Sequence, residues 1–174
     1  MSVKRVVVVG SGIAPAMAAI AIRRAFARGG VEVEWIETPD AGLLHRTVSG
    51  LPNLQAFHRL LGLSEAEVRR AAKGSFSLAR PYAGFAPGAD WWHSYGPIGR
   101  PFQSLPFAQY WIKAHGEGMP AAFDHFSRDA VACRNGRIAP GESAYGYHLD
   151  AADYAELLRA QAVRVGVMIA PDAA

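Results

Sequence analysis

Three residues near the start of the chain have the types and spacing to hold a dinucleotide. Gly10 and Gly12 end a valine run in VVVVGSGIAPAM, and Glu37 follows Gly12 by 25 residues. A glycine turn after a strand lets backbone approach a pyrophosphate closely, and the helix behind it offers unpaired amides with partial positive charge. An acid at about this distance closes the second strand and accepts from ribose hydroxyls. The same charge repels an adenosine 2′-phosphate, which favours FAD or NAD over NADP. The third glycine of the fingerprint, which allows close packing of helix on strand, is replaced by Pro15. Proline is tolerated in a first helical turn but disfavours helical backbone in the residue before it, so the helix is expected to start at Pro15 with Ala14 as its cap. One amide donor is lost, and phosphate binding is expected to be weakened without being abolished. The expected cofactor-binding set is therefore Gly10, Gly12, Ile13, Ala14, Pro15 and Glu37.

The elements that must position this set are legible in the hydrophobic pattern. Val3 to Val9 is β-branched without alternation, which predicts a parallel strand covered on both faces. Ala14 to Arg28 has helical spacing and stops at Gly29-Gly30, and VEVEWIE over Val31 to Glu37 is a second strand, more exposed on one face. The unit is β-α-β with parallel strands. Asn53 to Leu61 predicts a helix, and Ser64-Glu65-Ala66-Glu67 is a capping box that starts another reaching about Lys73. Gly74 to Pro106 breaks into short aromatic segments rich in Gly and Pro. Phe107 to His115 and Pro120 to Phe126 are predicted helical. Tyr145 to His148 is a short strand, Asp150 caps a helix to about Arg164, and Gly166 to Ala170 is a third parallel strand. The expected organisation is one partial domain over 1–174: a dinucleotide unit at 1–40, a helical and aromatic insertion at 41–144, and a strand-helix-strand return at 145–174.

Composition narrows the class. With 174 residues, 51% of them hydrophobic and 19% charged, the chain can bury a core. The net charge of +3 comes from 15 Arg and 3 Lys against 15 acids, scattered in pairs such as Arg23-Arg24 and Arg69-Arg70 rather than gathered into a stripe, so no nucleic-acid partner is expected. The apolar run after Lys4 and Arg5 is only Val6 to Val9, too short for a signal sequence or a membrane span, and the expected location is the cytoplasm with no membrane partner. Cys133 stands alone and reads as a small hydrophobe.

Other side chains that do chemistry elsewhere lack the pattern for it here. His45, His58, His93, His115, His125 and His148 have no metal-binding spacing, so no metal is expected and most are read as surface or hydrogen-bonded core histidines. Ser49 and Ser143 sit in no Gly-x-Ser-x-Gly elbow. Trp91, Trp92, His93 and Tyr95 have the means to line a pocket for a flat aromatic substrate, although aromatics that cover a sheet have the same pattern.

Several segments, in order, resemble the flavin-dependent tryptophan halogenase family. GSGIAPAMAA is similar to its GGGTAGWMAA and IETPD to its ESPD. LPNLQAFHRLLGLSEAEVRRAAKGSF resembles the stretch that runs through FHRLLGI into the strand carrying its lysine. FDHFSRDAVACRNGRIAP and YGYHLDAADYAELLRAQAVRVGV resemble the middle of its FAD domain, the latter its YHFDA-x-x-YA-x-x-LR segment. The resemblance implies an α/β, Rossmann-like FAD-binding domain of the class A flavin monooxygenase type, with a small parallel sheet and an irregular aromatic insertion, incomplete relative to the family. It implies FAD as cofactor, a flavin reductase that supplies it reduced, and an aromatic small-molecule substrate. It also implies a chemistry in which reduced FAD, oxygen and halide give hypohalous acid, which a tunnel leads to a lysine beside the substrate while a glutamate polarises the intermediate.

Three departures bear on activity. Aligning Phe76 with the phenylalanine of the family's TFKLGIRF puts Ser77 where the lysine stands, so no catalytic residue is assigned. A hydroxyl forms no chloramine and is too weak an acid to donate as an ammonium does, and Lys73, at a helix end four residues upstream, is not expected to replace it. RTVSGLP keeps Pro52 but has Thr47-Val48 where the family's flavin-facing loop has Gly-Glu. The Trp-x-Trp-x-Ile-Pro motif is absent, so the chain is expected to be either a fragment of a longer product or a naturally shortened relative. The leading expectation is the FAD-binding portion of a tryptophan-halogenase-like oxidoreductase with a degraded halogenation site. The alternatives are a flavin- or indole-binding relic without turnover, motivated by Ser77 and Thr47-Val48, and an NAD-dependent dehydrogenase fragment, motivated by Gly10, Gly12 and Glu37 alone.

Overall fold

A computed structural model describes residues 3–39, 42, 46–84, 90–138 and 143–171; His45 and Asp40 lie outside them. The chain divides into two compact units, one built from residues 1–75 with 147–174 and the other from Phe76–Gly146, so residues 46–75 pack with the dinucleotide unit.

In the first unit, β1 (Arg5–Gly10), β2 (Glu32–Glu37) and β8 (Met168–Pro171) form a parallel sheet in the order β1-β2-β8. The helices α1 (Ile13–Ala25) and α6 (Ala151–Arg164) pack on each other. Ala16, Ala19 and Ile20 of α1, Val33 and Trp35 of β2, and Leu158 and Ala162 of α6 are all buried. The three strands, both β-α connections and the Asp150 cap agree with the sequence pattern; the Asp150 carboxylate accepts from the Asp153 amide at 3.0 Å.

Two expectations are corrected. β1 is not covered on both faces: it alternates, with Val7 46% and Val9 63% exposed. The register sets Val7 beside Glu34 and Met168, and Met168 is exposed as well. The crossover through α1 makes the strands parallel, but among the described residues no second layer covers this face of β1. The helix α1 begins at Ile13 rather than at Pro15, so Gly12 is its N-cap and Pro15 its third residue. The reason is that the first turn needs no amide hydrogen from its first three residues, so a proline at the third costs no hydrogen bond, and the local preference against helical backbone at Ala14 is overridden.

The rest of the first unit comprises β3 (Thr47–Gly50), α2 (Leu54–Leu61), α3 (Glu65–Ala71) and β7 (Gly146–Asp150). β3 and β7 are antiparallel, with Thr47 opposite Asp150 and Gly50 opposite Tyr147. The capping box is present: Ser64 Oγ accepts from the Glu67 amide at 3.2 Å, and the Glu67 carboxylate accepts from the Ser64 amide at 2.8 Å. Hydrogen bonding from Ser64 holds the Glu67 carboxyl below its usual range.

His58 of α2 is 1% exposed, with its Nε2 2.7 Å from the Tyr154 hydroxyl of α6. Burial pushes the imidazole down to about 4, against a smaller opposing effect of Glu65, and pushes the Tyr154 phenol up. Both groups are therefore neutral at pH 7. Donation from Tyr154 to Nε2 leaves one buried polar atom unpaired, the Nδ1 of His58, whereas the reverse assignment leaves two. Because the folded pKa lies below the unfolded value of about 6.5, the unfolded chain binds this proton first as pH falls. Stability is thus full above pH 6.5 and declines down to about pH 4, by about 3 kcal/mol at most. Urea midpoints measured at pH 7 and 4.5 should differ by less in a His58→Gln variant than in the parent chain; an equal difference would show that His58 is not the titrating group.

The second unit holds β5 (Ala79–Tyr82) and β6 (Trp91–Ser94), an antiparallel pair, with α4 (Phe107–Gly116) and α5 (Arg128–Arg134); β4 (Ser75–Ser77) leads the chain into it. Phe123–Phe126 is a 3-10 turn where an α-helix from Pro120 is expected from the sequence. Asp124, 3% exposed, fixes it: the carboxylate accepts from the Trp92 amide at 2.9 Å and from Arg134 at 2.5 Å.

Candidate functional site

Gly10 and Glu37 are paired at the carboxyl ends of β1 and β2, the end of a parallel sheet at which ligands bind. Gly10 has φ 144 and Gly12 has φ 76 with ψ −142, backbone that is open to glycine and costly for other residues. A Cβ on Gly10 would stand 3.4 Å from the Pro15 ring, so proline lies against the loop where the third glycine of the fingerprint would leave space. Of the four N-terminal groups of α1 that lack a helical partner, Gly12, Ile13 and Ala14 keep an amide hydrogen and Pro15 has none. The expected set thus assembles on one end of the sheet, with one donor fewer than a complete loop.

A cavity of about 260 Å³ opens there, lined by Ser11, Gly12, Trp35, Glu37, Thr38, Ala152, Ala155, Glu156 and Arg159. That is just below the roughly 300–1,000 Å³ of small-molecule sites, and it suits the nucleoside end of a dinucleotide better than the whole. Arg159 Nε donates to Glu37 Oε2 at 3.1 Å. Of the lining residues, only Gly12 and Glu37 belong to the set expected from the sequence; one face of α6 and Trp35 do not. Ala152, Ala155, Glu156 and Arg159 follow the i, i+3, i+4, i+7 spacing of one helix face, a signal present in the YHLDA segment that says nothing by itself about facing Glu37. Trp35, 1% exposed, donates its indole N–H to the Gly10 carbonyl at 2.8 Å, and the Thr38 amide reaches the same oxygen at 3.3 Å. Trp35→Phe keeps a ring but loses the donor and leaves a gap, so it is expected to cost about 1–3 kcal/mol in a urea unfolding experiment. A midpoint unchanged from the parent chain would show that this bond does not hold the loop.

Ser77 is buried, and its hydroxyl donates to the Ala79 carbonyl at 3.1 Å. Lys73 pairs with Asp153 at 2.7 Å, and that hydrogen bond raises its pKa above the ordinary lysine value. On β5 and β6, Tyr82 and Trp91 stack at 4.7 Å, and His93 and Tyr95 continue the row of rings at 5.8 and 6.3 Å. Trp92 alternates to the other face. His93, His115, His125 and His148 are exposed. Among the described residues no group of three or more His, Cys, Asp or Glu is placed to hold a metal, and no helix is long and apolar enough to cross a membrane.

A parallel sheet with a glycine turn at its carboxyl end, an acid on the neighbouring strand and helices behind defines a Rossmann-like dinucleotide-binding domain. The family model for tryptophan halogenase matches residues 5–173, and the chain belongs to that family. It is similar to Xcc4156, a flavin-dependent halogenase from Xanthomonas campestris, at 31% identity and a TM-score of 0.84 over 98% of this chain. It is also similar to BrvH, a flavin-dependent halogenase from Brevundimonas sp. BAL3, at 26% and 0.81 over 97%, and to the tryptophan 6-halogenase SttH from Streptomyces toxytricini, at 26% and 0.77 over 97%. The chain spans 35% of the length of each of these proteins.

Proposed function

We propose that this chain is the FAD-binding portion of a tryptophan-halogenase-like oxidoreductase, in which it holds the adenosine and pyrophosphate end of the flavin. The observation that carries this reading is the cavity shared by Gly12 of the phosphate loop and Glu37 at the end of the second strand. Glu37 accepts from the ribose, while the amides of Gly12, Ile13 and Ala14 donate to the pyrophosphate at the positive end of α1. When bound and reduced by a partner flavin reductase, FAD supplies the oxygen chemistry that converts halide into hypohalous acid. The row of Tyr82, Trp91, His93 and Tyr95, exposed at Trp91 and His93 and half-buried at the two tyrosines, is the surface on which a flat aromatic substrate would stack.

A second reading, a flavin or indole binder without turnover, is favoured by Ser77. Its hydroxyl is turned to the Ala79 carbonyl at the position where the family has its lysine, and Lys73 is held by Asp153. Both readings require flavin binding and differ only in turnover.

FAD titrated into the purified chain, followed by flavin absorbance and by calorimetry, tests the binding they share. Binding is expected to be micromolar or weaker, because Pro15 removes a donor to a charged phosphate, worth about one to two decades in affinity. Sub-micromolar binding would contradict that weakening. NAD bound in preference to FAD would turn the assignment toward a dehydrogenase.

A further inference from the structure

Arg159 lies 122 positions from Glu37 in sequence, yet its Nε is 3.1 Å from Glu37 Oε2 inside the nucleotide cavity. The side chains are part-exposed, 43% for Arg159 and 32% for Glu37, so a ligand can reach both. Among the described residues Arg159 has no second partner, and its two terminal guanidinium nitrogens are left for a ligand. Glu156 is the other charge lining the same cavity.

We propose that Glu37 and Arg159 form one reader of the ribose 2′ position, with Arg159 as the residue that positions Glu37 and, beneath it, a latent receptor for a 2′-phosphate. This rests on the nucleotide reading of the cavity. The bond from Arg159 engages Oε2 and orients the carboxylate, so that Oε1 accepts the 2′-hydroxyl. A 2′-phosphate in that place meets the charges of Glu37 and Glu156 and is rejected. With the Glu37 charge removed, Arg159 is a planar fork suited to a phosphate, held at the same spot by α6. Of the two carboxylates, Glu37 is the one that Arg159 holds, so removing its charge frees the guanidinium and reverses the preference even with Glu156 in place.

The test is calorimetric binding of three nucleotides to the full chain: adenosine 5′-monophosphate, its 2′-deoxy form and adenosine 2′,5′-bisphosphate. The parent chain is expected to prefer the 5′-monophosphate over each of the others by about tenfold, and Glu37→Gln to prefer the bisphosphate by about tenfold. Adding Arg159→Ala to Glu37→Gln should erase that preference, and adding Arg159→Lys should restore part of it. In the chain with Glu37 intact, Arg159→Ala alone should shrink the discrimination against the 2′-deoxy nucleotide, which loss of folding would not do while 5′-monophosphate still binds. Binding of the 5′-monophosphate with preferences that these substitutions leave unchanged would overturn the proposal and keep the nucleotide site. Failure of the parent chain to bind any of the three would overturn the nucleotide site and the proposal together.

Discussion

Gly12→Ala is expected to lower affinity for FAD by about a hundredfold, the equivalent of about 2.7 kcal/mol. Gly12 holds φ 76 and ψ −142, a region essentially confined to glycine, where another residue costs about 1–3 kcal/mol. An alanine there has two outcomes, both adverse. It keeps the backbone and sets a methyl at the wall of the cavity that Gly12 shares with Glu37, or it relaxes the backbone and turns the first amides of α1 away from the proposed pyrophosphate position. Gly136→Ala is the control: its φ is 62 and nothing lies within 4 Å of the added carbon. It should share the backbone strain and lose stability without losing affinity. Calorimetric titration of both variants decides between a loop that binds and one that only turns. Equal affinity for FAD in Gly12→Ala and the parent chain would remove the phosphate role from this loop.

The second large effect is an absence of product. With FAD, a flavin reductase, chloride or bromide and tryptophan supplied, neither this chain nor its Ser77→Lys variant is expected to yield halogenated tryptophan above the background from free hypohalous acid. Ser77 is 6% exposed and its hydroxyl is engaged by the Ala79 carbonyl. A lysine introduced there is overpacked, at a cost of about 1–3 kcal/mol, and burial disfavours its charged form. The resemblance also calls for a glutamate and a Trp-x-Trp-x-Ile-Pro segment, and these 174 residues lack that segment. Groups that act as a unit recover little when one is restored, because their effects are strongly non-additive. Mass spectrometry reads the result directly: halotryptophan made by the Ser77→Lys variant would show that the amine alone was missing.

The sequence by itself determined the β-α-β start, the two capped helices and the third parallel strand. Each is encoded within a few residues: a glycine turn after valines, Ser64 three positions before Glu67, and Asp150 before an amphipathic run. It also marked Gly10, Gly12 and Glu37, because strand and helix lengths make their spacing predictable. It did not reveal β3 or α5, which are 4 and 7 residues long, too short for periodicity to separate from loop. It did not reveal the bare face of β1, since a valine run states a preference for burial and only the remaining layers decide whether burial occurs. The start of α1 at Ile13 differs from the local expectation for a related reason: the rule about residues before proline is local, while the helix is set by the Gly12 backbone and by packing on the sheet. Tertiary structure alone brought Trp35 to the Gly10 carbonyl and Arg159 to Glu37. Trp35 reads in sequence as one more strand residue and Arg159 as one more helix arginine. Their roles come from register between strands and from the face α6 turns toward the sheet, quantities fixed by packing and carried by no local pattern.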